Sequence, residues 1–402
     1  VKWLWAAACL ISGILALATK ETAATLTCFL LLYEWFFFQD LSREWLKRHL
    51  PSLAGVCILF LGVSFMYMGG HPLEKILSAY EYRNFTLTQR VLTELRVVIL
   101  YLTLLIFPHP NRLNLDYYFP LSHSLIDPLT TLLAMLAITG LIAGSVWLAK
   151  KDRLISFCLL WYFGTQAIES SIIGLEIVFE HRTYLPSMMV ILMAASVADR
   201  YLKSNLLKII AILSTTLVFA VWTYERNAIW SNAVTLWSDV VKKSPQKVRP
   251  HNNLGNALKH EGKVEEAIAH FNKALQINPG YAKAHNNLGT ALASQGKTEE
   301  AIKHFGIALY INPGYAAAHS NIGVALAGRG EFEKAIAHFR AALRLKPSNA
   351  NVHSNLGAAL VRQGRLQQAL KHLRIAFRLK PDDVQTHKNL EICLKLIKQT
   401  KN

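Results

Sequence analysis

A 34-residue period in the C-terminal part of the chain limits what this sequence can fold into. A Leu–Gly or Ile–Gly pair recurs at this step, and so do a second glycine, an alanine and a proline. One set of these positions is Leu254, Leu288, Ile322 and Leu356, each followed by glycine. The others are Gly262, Gly296, Gly330 and Gly364; Ala267, Ala301, Ala335 and Ala369; and Pro279, Pro313, Pro347 and Pro381. Such a period predicts stacked copies of one supersecondary unit, because a single copy cannot bury its apolar face alone.

The residue types within each period are those of tetratricopeptide repeats (TPR), in which two antiparallel helices form one repeat. Small residues let the helices approach, large ones such as Phe271 fill the space between repeats, and the proline ends the second helix. We predict four repeats over residues 248–381 and a capping helix within 382–402. Ala233, Trp237 and Pro245 fall one full period before their counterparts, so residues 226–247 are predicted to form a half-repeat.

Two polar ladders follow the same period. Asn253, Asn287, Asn321, Asn355 and Asn389 are expected on the concave face, where an amide can donate to and accept from the backbone of an extended polypeptide. This resembles the asparagine ladder in the repeat arm of O-GlcNAc transferases, although asparagine is common at this position in TPR repeats generally. The second ladder is His251, His285, His319, His353 and His387. Successive repeats lie about 10 Å apart, whereas metal ligands lie about 2 Å from one ion, so we predict no metal site.

The positive charge of the chain is concentrated in the repeats. Residues 242–402 hold 25 Lys and Arg against 10 Asp and Glu, which accounts for +15 of the net +17. Such a surface favours an acidic partner, anionic lipid or nucleic acid. No aromatic-rich RNA-binding motif or zinc spacing accompanies it, so we interpret it as a solvated basic face and expect no nucleic-acid partner. The five cysteines form no CxxC pair and are interpreted as small buried hydrophobes.

The N-terminal part of the chain has the composition of a membrane protein. Apolar residues make up 52% of the whole chain, and a spanning helix needs about 20 mostly apolar residues. We predict a polytopic transmembrane helical domain over residues 1–225, with about seven or eight spans and membrane lipid as a partner. The candidate spans are 3–19, 22–38, 51–68, 127–149, 154–175, 184–200 and 206–223, and 91–107 is predicted to cross halfway or to lie at the interface. The start at Val1 looks internal, so we expect further sequence before it.

The orientation of these spans follows from the positively charged loops between them. Arg43/Lys47/Arg48, Lys150/Lys151/Arg153 and Arg200/Lys203 are expected in cytoplasmic loops. This arrangement places the repeats on the external side if 91–107 does not cross completely. The outer loop also carries Lys75, Arg83 and Arg112, so the charge asymmetry is incomplete.

Acidic residues near the membrane edge are candidates for function, because ionisable residues are costly inside lipid. Glu169, Glu176 and Glu180 share one helix face by spacing, and His181 and Arg182 follow. An arginine there can hold a phosphate-bearing lipid, while salt bridging between helices explains the stripe equally well. Asp116, Tyr117 and Tyr118 are candidates for contact with a sugar or lipid headgroup, and an interfacial aromatic belt is the alternative for the tyrosines.

Three membrane segments resemble the transmembrane-and-TPR protein O-mannosyltransferases and their bacterial relatives, which are GT-C glycosyltransferases. They are Ala18–Glu21, the Leu115 to Pro120 loop and EHRTYLPS at 180–187. Glu180 and Tyr184–Ser187 match the family, whereas its arginine is shifted to Arg182, with His181 in its place. The resemblance implies a polyprenyl-phosphate-sugar as donor substrate and no other cofactor. The family's catalytic carboxylate lies in a loop that would precede Val1, so no catalytic residue is assigned.

Two functions are consistent with these features. In the first, the chain is part of a protein O-glycosyltransferase that uses Glu176, Glu180, His181, Arg182, Tyr184 and Asp116 for the lipid-linked donor. Its repeats would then hold the acceptor polypeptide through the asparagine ladder. In the second, the chain is a non-catalytic, membrane-anchored TPR scaffold for protein–protein interactions. Walker, GxGxxG, HExxH and GxSxG motifs do not occur in the sequence, so nothing indicates a soluble enzyme of those classes.

Overall fold

The computed structural model describes residues 25–67, 71–78, 80, 83–170, 177–178 and 183–400. Every regular element in these ranges is helical, with 18 α-helices and one short 3-10 helix, which confirms the all-α prediction. The chain divides into two compact units, Val1–Ala228 and Ile229–Asn402. The boundary falls in the last turn of a long apolar helix, Asn205–Trp230.

The first unit contains eight of these α-helices. They are α1 Thr25–Phe37, α2 Arg43–Tyr67, α3 Pro72–Ser78, α4 Leu87–Ile106, α5 Thr130–Leu148, α6 Arg153–Glu169, α7 Tyr184–Tyr201 and α8 Asn205–Trp230, and the 3-10 helix Pro110–Arg112 follows α4. The start of α4 is fixed by a capping box, in which Thr86 and Gln89 each bond the backbone of the other.

Helices α4, α6 and α7 share a small core. Val98, Tyr162 and Val190 are buried together, one from each helix. The Tyr162 hydroxyl donates to the carbonyl of Val98, so the polar end of this large side chain is satisfied inside the unit. On the other side of α6, Gly164 lies against the Phe29 ring of α1, where an added Cβ would come within 2.6 Å of Phe29 Cζ.

Among the described residues, two helices are long and apolar enough to cross a bilayer, α5 and α8. They correspond to the predicted spans 127–149 and 206–223. No residue of α8 is buried, as expected of a helix whose apolar surface faces lipid. The predicted span 3–19 lies outside the described residues, and the polytopic bundle stays a prediction.

The structure corrects one element of the predicted topology. Arg43, Lys47 and Arg48 were expected in a loop before span 51–68, but they form the first turns of α2, which begins at Arg43. Pro51 does not stop this helix, which continues through it to Tyr67. The basic residues are therefore held on a helix, with Glu44 in the first turn at the positive end of the helix dipole.

The second unit is a series of antiparallel helix pairs. A first helix, α9 Ala233–Lys243, precedes them. The pairs are α10 Val248–His260 with α11 Val264–Ile277, α12 Ala282–Ser294 with α13 Thr298–Ile311, α14 Ala316–Gly328 with α15 Phe332–Leu345, and α16 Ala350–Arg362 with α17 Leu366–Leu379. A last helix, α18 Val384–Gln399, covers the end of the array.

Close approach within each pair explains the repeated Leu–Gly and Ile–Gly positions. A Cβ added at Gly289 would come within 2.7 Å of the Phe305 ring, and Gly255 and Gly323 meet Phe271 and Phe339 in the same way. The three rings are at most 2% exposed, so no space remains to move them. Packing at this density makes glycine necessary at these positions, as the period predicted.

The second repeated glycine has a different cause. Gly296 lies between the two helices of a pair with φ +78°, and Gly262, Gly330 and Gly364 have φ values of +81°, +81° and +74°. An L-residue pays a steric penalty in this region, which glycine does not. The turn between the helices is thereby the same in every repeat.

Candidate functional site

The asparagine ladder lies on the first helix of each pair. Its members are half-buried on α10, α12, α14, α16 and α18. The fold therefore gives Asn253, Asn287, Asn321, Asn355 and Asn389 equivalent positions along the unit, as the period predicted. Whether these side chains can bind a ligand depends on the hydrogen bonds that their amides already make.

Amide hydrogen bonds between repeats hold part of this ladder in place. Asn287 Nδ2 donates to Asn252 Oδ1 of the preceding repeat at 3.0 Å, and Asn321 Nδ2 donates to Asn286 Oδ1 at 2.9 Å. Asn389 Nδ2 donates to Ser354 Oγ at 3.3 Å. A primary amide has two N–H donors and an oxygen with two lone pairs. Each inter-repeat bond holds its side chain in place, and Asn321 Nδ2 also lies 3.5 Å from a second acceptor, Thr290 Oγ1.

Within the described residues, Asn253 and Asn355 donate no bond of this kind, and Asn355 is the one of the two that has a full repeat before it. The residue at the matching position of the preceding repeat is Ser320, and within the described part of the chain Asn355 makes no side-chain hydrogen bond to it. Its side chain instead lines a cleft of about 780 Å³, together with Asn389 and several apolar residues. The cleft lies at the C-terminal end of the second unit and includes residues of α14, α16 and α18.

Each repeat also contains a pair of histidines. The Nδ1 atoms lie 3.0–3.1 Å apart in His251/His270, His285/His304, His319/His338 and His353/His372. The first histidine of three of these pairs also has its Nε2 within 3.1 Å of a proline carbonyl, at Pro245, Pro279 and Pro347. In each pair one Nδ1 donates and the other accepts, so the pair joins the two helices of its repeat.

Burial lowers the pKa of most of these histidines. This holds for His251, His270, His304, His319, His338 and His372. In the second member of each pair, the neighbouring ring adds a smaller lowering of the pKa. The neutral form that the hydrogen bond requires is therefore also the form that burial favours.

The sequence analysis identified only the first histidine ladder. The second, His270, His304, His338 and His372, recurs with the same period, one residue on the second helix of each pair. Because both histidine ladders recur every 34 residues, the sequence contained the information needed to predict the pairs. Within the described residues no group of three or more His, Cys, Asp or Glu side chains could hold a metal ion. The Nδ1–Nδ1 hydrogen bonds link the two helices of each repeat.

Most of the residues predicted to contact a lipid-linked sugar lie outside the described residues. These are Glu176, Glu180, His181 and Arg182. Tyr184 is the first residue of α7 and is 79% exposed. Asp116 is only 8% exposed, and its backbone N–H donates to Asn114 Oδ1 at 3.3 Å.

The 108–120 loop, which contains the Leu115 to Pro120 segment of the family resemblance, packs against a small buried cluster. Val178, two residues before Glu180, is buried in one cluster with Tyr101 and Leu104 of α4. Leu113, Tyr117 and Phe119 of the 108–120 loop pack against the same cluster. The Tyr117 hydroxyl donates to the carbonyl of Arg112, so this tyrosine is fixed within the loop.

A buried ion pair near this region was not identified as a site from the sequence. Arg90 Nη2 lies 2.9 Å from Glu94 Oε1 on α4, and both side chains are almost completely buried. Thr93, which lies between them on the helix, accepts the backbone N–H of Ser122 at 2.8 Å. The i,i+4 spacing of Arg90 and Glu94 was visible in the sequence, but their burial was not.

Family models match the repeats. A model described as TPR repeat matches residues 255–296 and 325–364, and one described as tetratricopeptide repeat matches 282–315. Among curated proteins, the protein O-mannosyl-transferase Tmtc3 of Drosophila melanogaster is 29% identical over 161 residues. The match covers 37% of this chain and 17% of that protein, so the chain spans only a small part of its relative.

Solved structures with a similar arrangement include two further proteins. TTC0263, a TPR protein of Thermus thermophilus, has a TM-score of 0.37 and 25% identity, over 44% of this chain and 96% of that one. MamA 41-end from Desulfovibrio magneticus RS-1 has a TM-score of 0.34 and 20% identity, over 45% and 98%. The matches of the family models and the helix pairs described above together identify the C-terminal part of the chain as an array of tetratricopeptide repeats.

Proposed function

We propose that the repeats hold an extended polypeptide along the asparagine ladder. The single observation that carries this proposal is the set of inter-repeat amide bonds at Asn287, Asn321 and Asn389. These bonds orient the amides. An amide oxygen has two lone pairs, so it can accept from a peptide backbone even where it already accepts one bond, as Asn287 does from Asn286 and Asn389 does from Gln385. A ladder that reads backbone groups binds many sequences, since every residue except proline offers the same donor and acceptor.

We propose that the chain is attached to a membrane and that the polypeptide partner reaches the repeats from one side of that membrane. We propose that residues 1–225 form a polytopic helical domain, followed by the half-repeat 226–247, the repeats 248–381 and the cap and tail 382–402. The two apolar helices α5 and α8 support membrane attachment. The charge asymmetry of the loops favours the external side for the repeats.

The finer proposal is that the chain is part of a protein O-glycosyltransferase that uses a polyprenyl-phosphate-sugar. The similarity to Drosophila Tmtc3 supports it, as does the packing of Val178 against Leu113 and Tyr117. In this proposal Glu176, Glu180, His181, Arg182, Tyr184 and Asp116 contribute to the site of the lipid phosphate and sugar. Arg182 has the central role, because a guanidinium binds phosphate oxygens in pairs.

The second candidate is a scaffold without catalytic activity. The family models match only residues of the repeats. If the chain is anchored in a membrane, the repeats alone are enough to recruit partner proteins. In this case the acidic stripe that ends at Glu180 serves packing between helices. Sugar transfer, not polypeptide binding, distinguishes the two candidates.

Polypeptide binding is tested with the chain in lipid nanodiscs and a permanently unfolded probe, reduced and carboxymethylated lysozyme. We expect saturable binding of this probe and none of native lysozyme. Replacement of Asn287, Asn321 and Asn355 by alanine should weaken binding at least tenfold, while Lys303→Ala, an exposed residue on α13, serves as control. Equal binding by the triple variant would contradict the proposal.

The glycosyltransferase proposal is tested by sugar transfer in membranes that contain the protein. Arg182→Ala should abolish transfer from a polyprenyl-phosphate-sugar, whereas Arg182→Lys should retain part of it, because the charge remains but the paired contact is lost. Unchanged transfer by Arg182→Ala would exclude the phosphate role. Absence of transfer by the unmodified protein, with polypeptide binding intact, would favour the scaffold.

A further inference from the structure

The groove changes character towards its C-terminal end. One position of the first helix, three residues after each ladder asparagine, is Asn256, Thr290, Val324, Ala358 and Ile392 in successive repeats. The last three line the 780 Å³ cleft with Val361 and Leu396. Val324 is 50% exposed and Ile392 is 42% exposed, so apolar surface is open to solvent there. Burying this surface against a partner is favourable by about 25 cal/mol per Å².

A polar group capable of holding a peptide lies within this apolar surface. Asn355 lines the cleft and, within the described part of the chain, makes no hydrogen bond through its side chain. Its counterparts at Asn321 and Asn389 donate to the preceding repeat at 2.9 and 3.3 Å. Both donors and the oxygen of the Asn355 amide therefore remain for a ligand, which an extended backbone matches with one carbonyl and one N–H.

A cation that makes no ion pair lies at the edge of the same cleft. Arg362 is exposed, lines the cleft and has no acidic partner among the described residues. The neighbouring Arg365 is different, because its Nη2 lies 3.0 Å from Glu333 Oε1. No described residue that lines the cleft is acidic. The cleft therefore complements an apolar side chain accompanied by a carboxylate.

The distance between Asn355 and Arg362 limits how far apart the apolar side chain and the carboxylate of the ligand can lie. Asn355 and Arg362 are seven residues apart on α16, so they lie on one face about 10.5 Å apart along the axis. An extended chain advances about 3.3 Å per residue. A carboxylate within about three residues of the apolar side chain can therefore reach Arg362 while Asn355 holds the backbone.

We propose that this cleft selects polypeptide segments that present a large apolar side chain and an Asp or Glu within about three residues of it. The apolar side chain fills the space between Val324, Ala358 and Ile392, Asn355 bonds the backbone, and Arg362 binds the carboxylate. The inference rests on the proposed binding of polypeptide by the repeats. The cleft would add sequence selectivity to the asparagine ladder, which by itself contacts only the backbone of the polypeptide.

The test is selection of a random 12-residue phage-displayed library on the chain in nanodiscs at about 0.15 M salt, a Debye length of about 8 Å. Unmodified protein should enrich peptides with an apolar residue next to, or within three residues of, an acidic one. Arg362→Glu should replace the acidic preference with a basic one. Ala358→Trp should remove the apolar preference by filling the cleft. Arg374→Glu makes the same charge change on an exposed residue of α17 and should leave the consensus unchanged.

The outcomes separate this inference from the proposed function. Enrichment of peptides with no apolar or acidic preference, or a consensus that Arg362→Glu does not alter, would overturn the inference and leave polypeptide binding intact. Failure to enrich any peptide, together with failure to bind the unfolded probe, would overturn both. A concentration-dependent dimer that Ala358→Trp abolishes would show that a second copy occupies the cleft, and would also overturn the inference. Circular dichroism of each variant checks that the helices remain formed.

Discussion

The Nδ1 atoms of His251 and His270 lie 3.1 Å apart, so only one of these two atoms can carry a proton. The same relationship recurs in three further repeats. If both Nδ1 atoms carried protons, two donors would face each other. Since His251 Nε2 already donates to the carbonyl of Pro245, a proton on His251 Nδ1 would also place a positive charge beside the His270 ring. The basic environment adds to this repulsion, since Lys273 faces His251, Arg344 faces His319, and Lys371 and Arg340 face His372. Glu266, which faces His270, offsets part of it in the first repeat, whereas at His304 the effect of Glu300 is opposed by the larger effect of Lys303.

We therefore predict that the repeats lose stability in acid. Burial lowers the pKa of six of these histidines in the folded state, so below about pH 6.5 the unfolded chain takes up protons that the folded chain does not. The free energy of unfolding should fall as the pH drops from about 6.5 through the lowered folded-state pKa values. Each proton taken up on unfolding contributes at most about 1.4 kcal/mol per pH unit.

Urea denaturation followed by circular dichroism between pH 8 and pH 5 measures this slope. The control replaces His270, His304, His338 and His372 by glutamine, which can still donate to the remaining ring. The variant should unfold with a shallower pH dependence. Identical slopes for the two proteins would show that the histidine pairs do not couple stability to pH.

Close packing at Gly289 gives a second prediction. Gly289→Ala would place a Cβ 2.7 Å from the buried Phe305 ring, and overpacking of this kind costs about 1–3 kcal/mol. Gly306→Ala on α13 is the matched control, because its Cβ would meet nothing within 4 Å and alanine favours a helix by about 1 kcal/mol. Thermal unfolding should therefore shift in opposite directions for the two variants. A stabilising Gly289→Ala would contradict the packing described for the repeats.

Substitutions of two ladder asparagines should have different effects on the stability of the repeats and on binding. Asn321→Ala removes the 2.9 Å bond to Asn286 and should cost about 1 kcal/mol of stability as well as affinity for an unfolded probe. Asn355→Ala removes no such bond and should reduce affinity at nearly unchanged stability. Urea midpoints and probe binding, measured on the same preparations, give both quantities. If Asn355→Ala destabilised the repeats as much as Asn321→Ala, the amide of Asn355 would have a structural role instead.

The sidedness of the repeats can be measured with single cysteines. In a chain whose five natural cysteines are replaced by alanine, Lys203→Cys and Lys247→Cys flank α8 on its two ends. If α8 crosses the bilayer, a membrane-impermeant maleimide should label the two positions from opposite sides, and Lys247→Cys from the external side. Labelling of both positions from one side would show that α8 does not span.

The sequence predicted the repeats well because their pattern is local. In every repeat the same small and large residues recur in the same order, and the contacts of Gly289 with Phe305 follow from that period. The ladder positions could be predicted for the same reason. The N-terminal half has no such period, and Arg43, Lys47 and Arg48 were assigned to a loop although they form the start of α2.

Features that depend on two distant segments could not be read from the sequence. The Arg90–Glu94 pair is buried, and Thr93 between them accepts a bond from the distant Ser122, so the environment of the pair depends on segments that are far apart in the sequence. The cleft between α14, α16 and α18 depends on how three repeats stack. Asn355 makes no bond to Ser320, whereas Asn389 bonds Ser354, which occupies the equivalent position one repeat later, so the difference is visible only in the geometry.

Where an unfolded polypeptide lies on the repeats tests the central claim most directly. A photo-crosslinking benzoylphenylalanine at Val324, which lines the cleft, is compared with one at Tyr310, which is 89% exposed on α13. In nanodiscs with reduced and carboxymethylated lysozyme, we expect crosslinks from position 324 and few from position 310. Asn355→Ala should reduce the crosslinks from position 324. Equal crosslinking from both positions, or crosslinks from position 310 alone, would contradict binding in the groove.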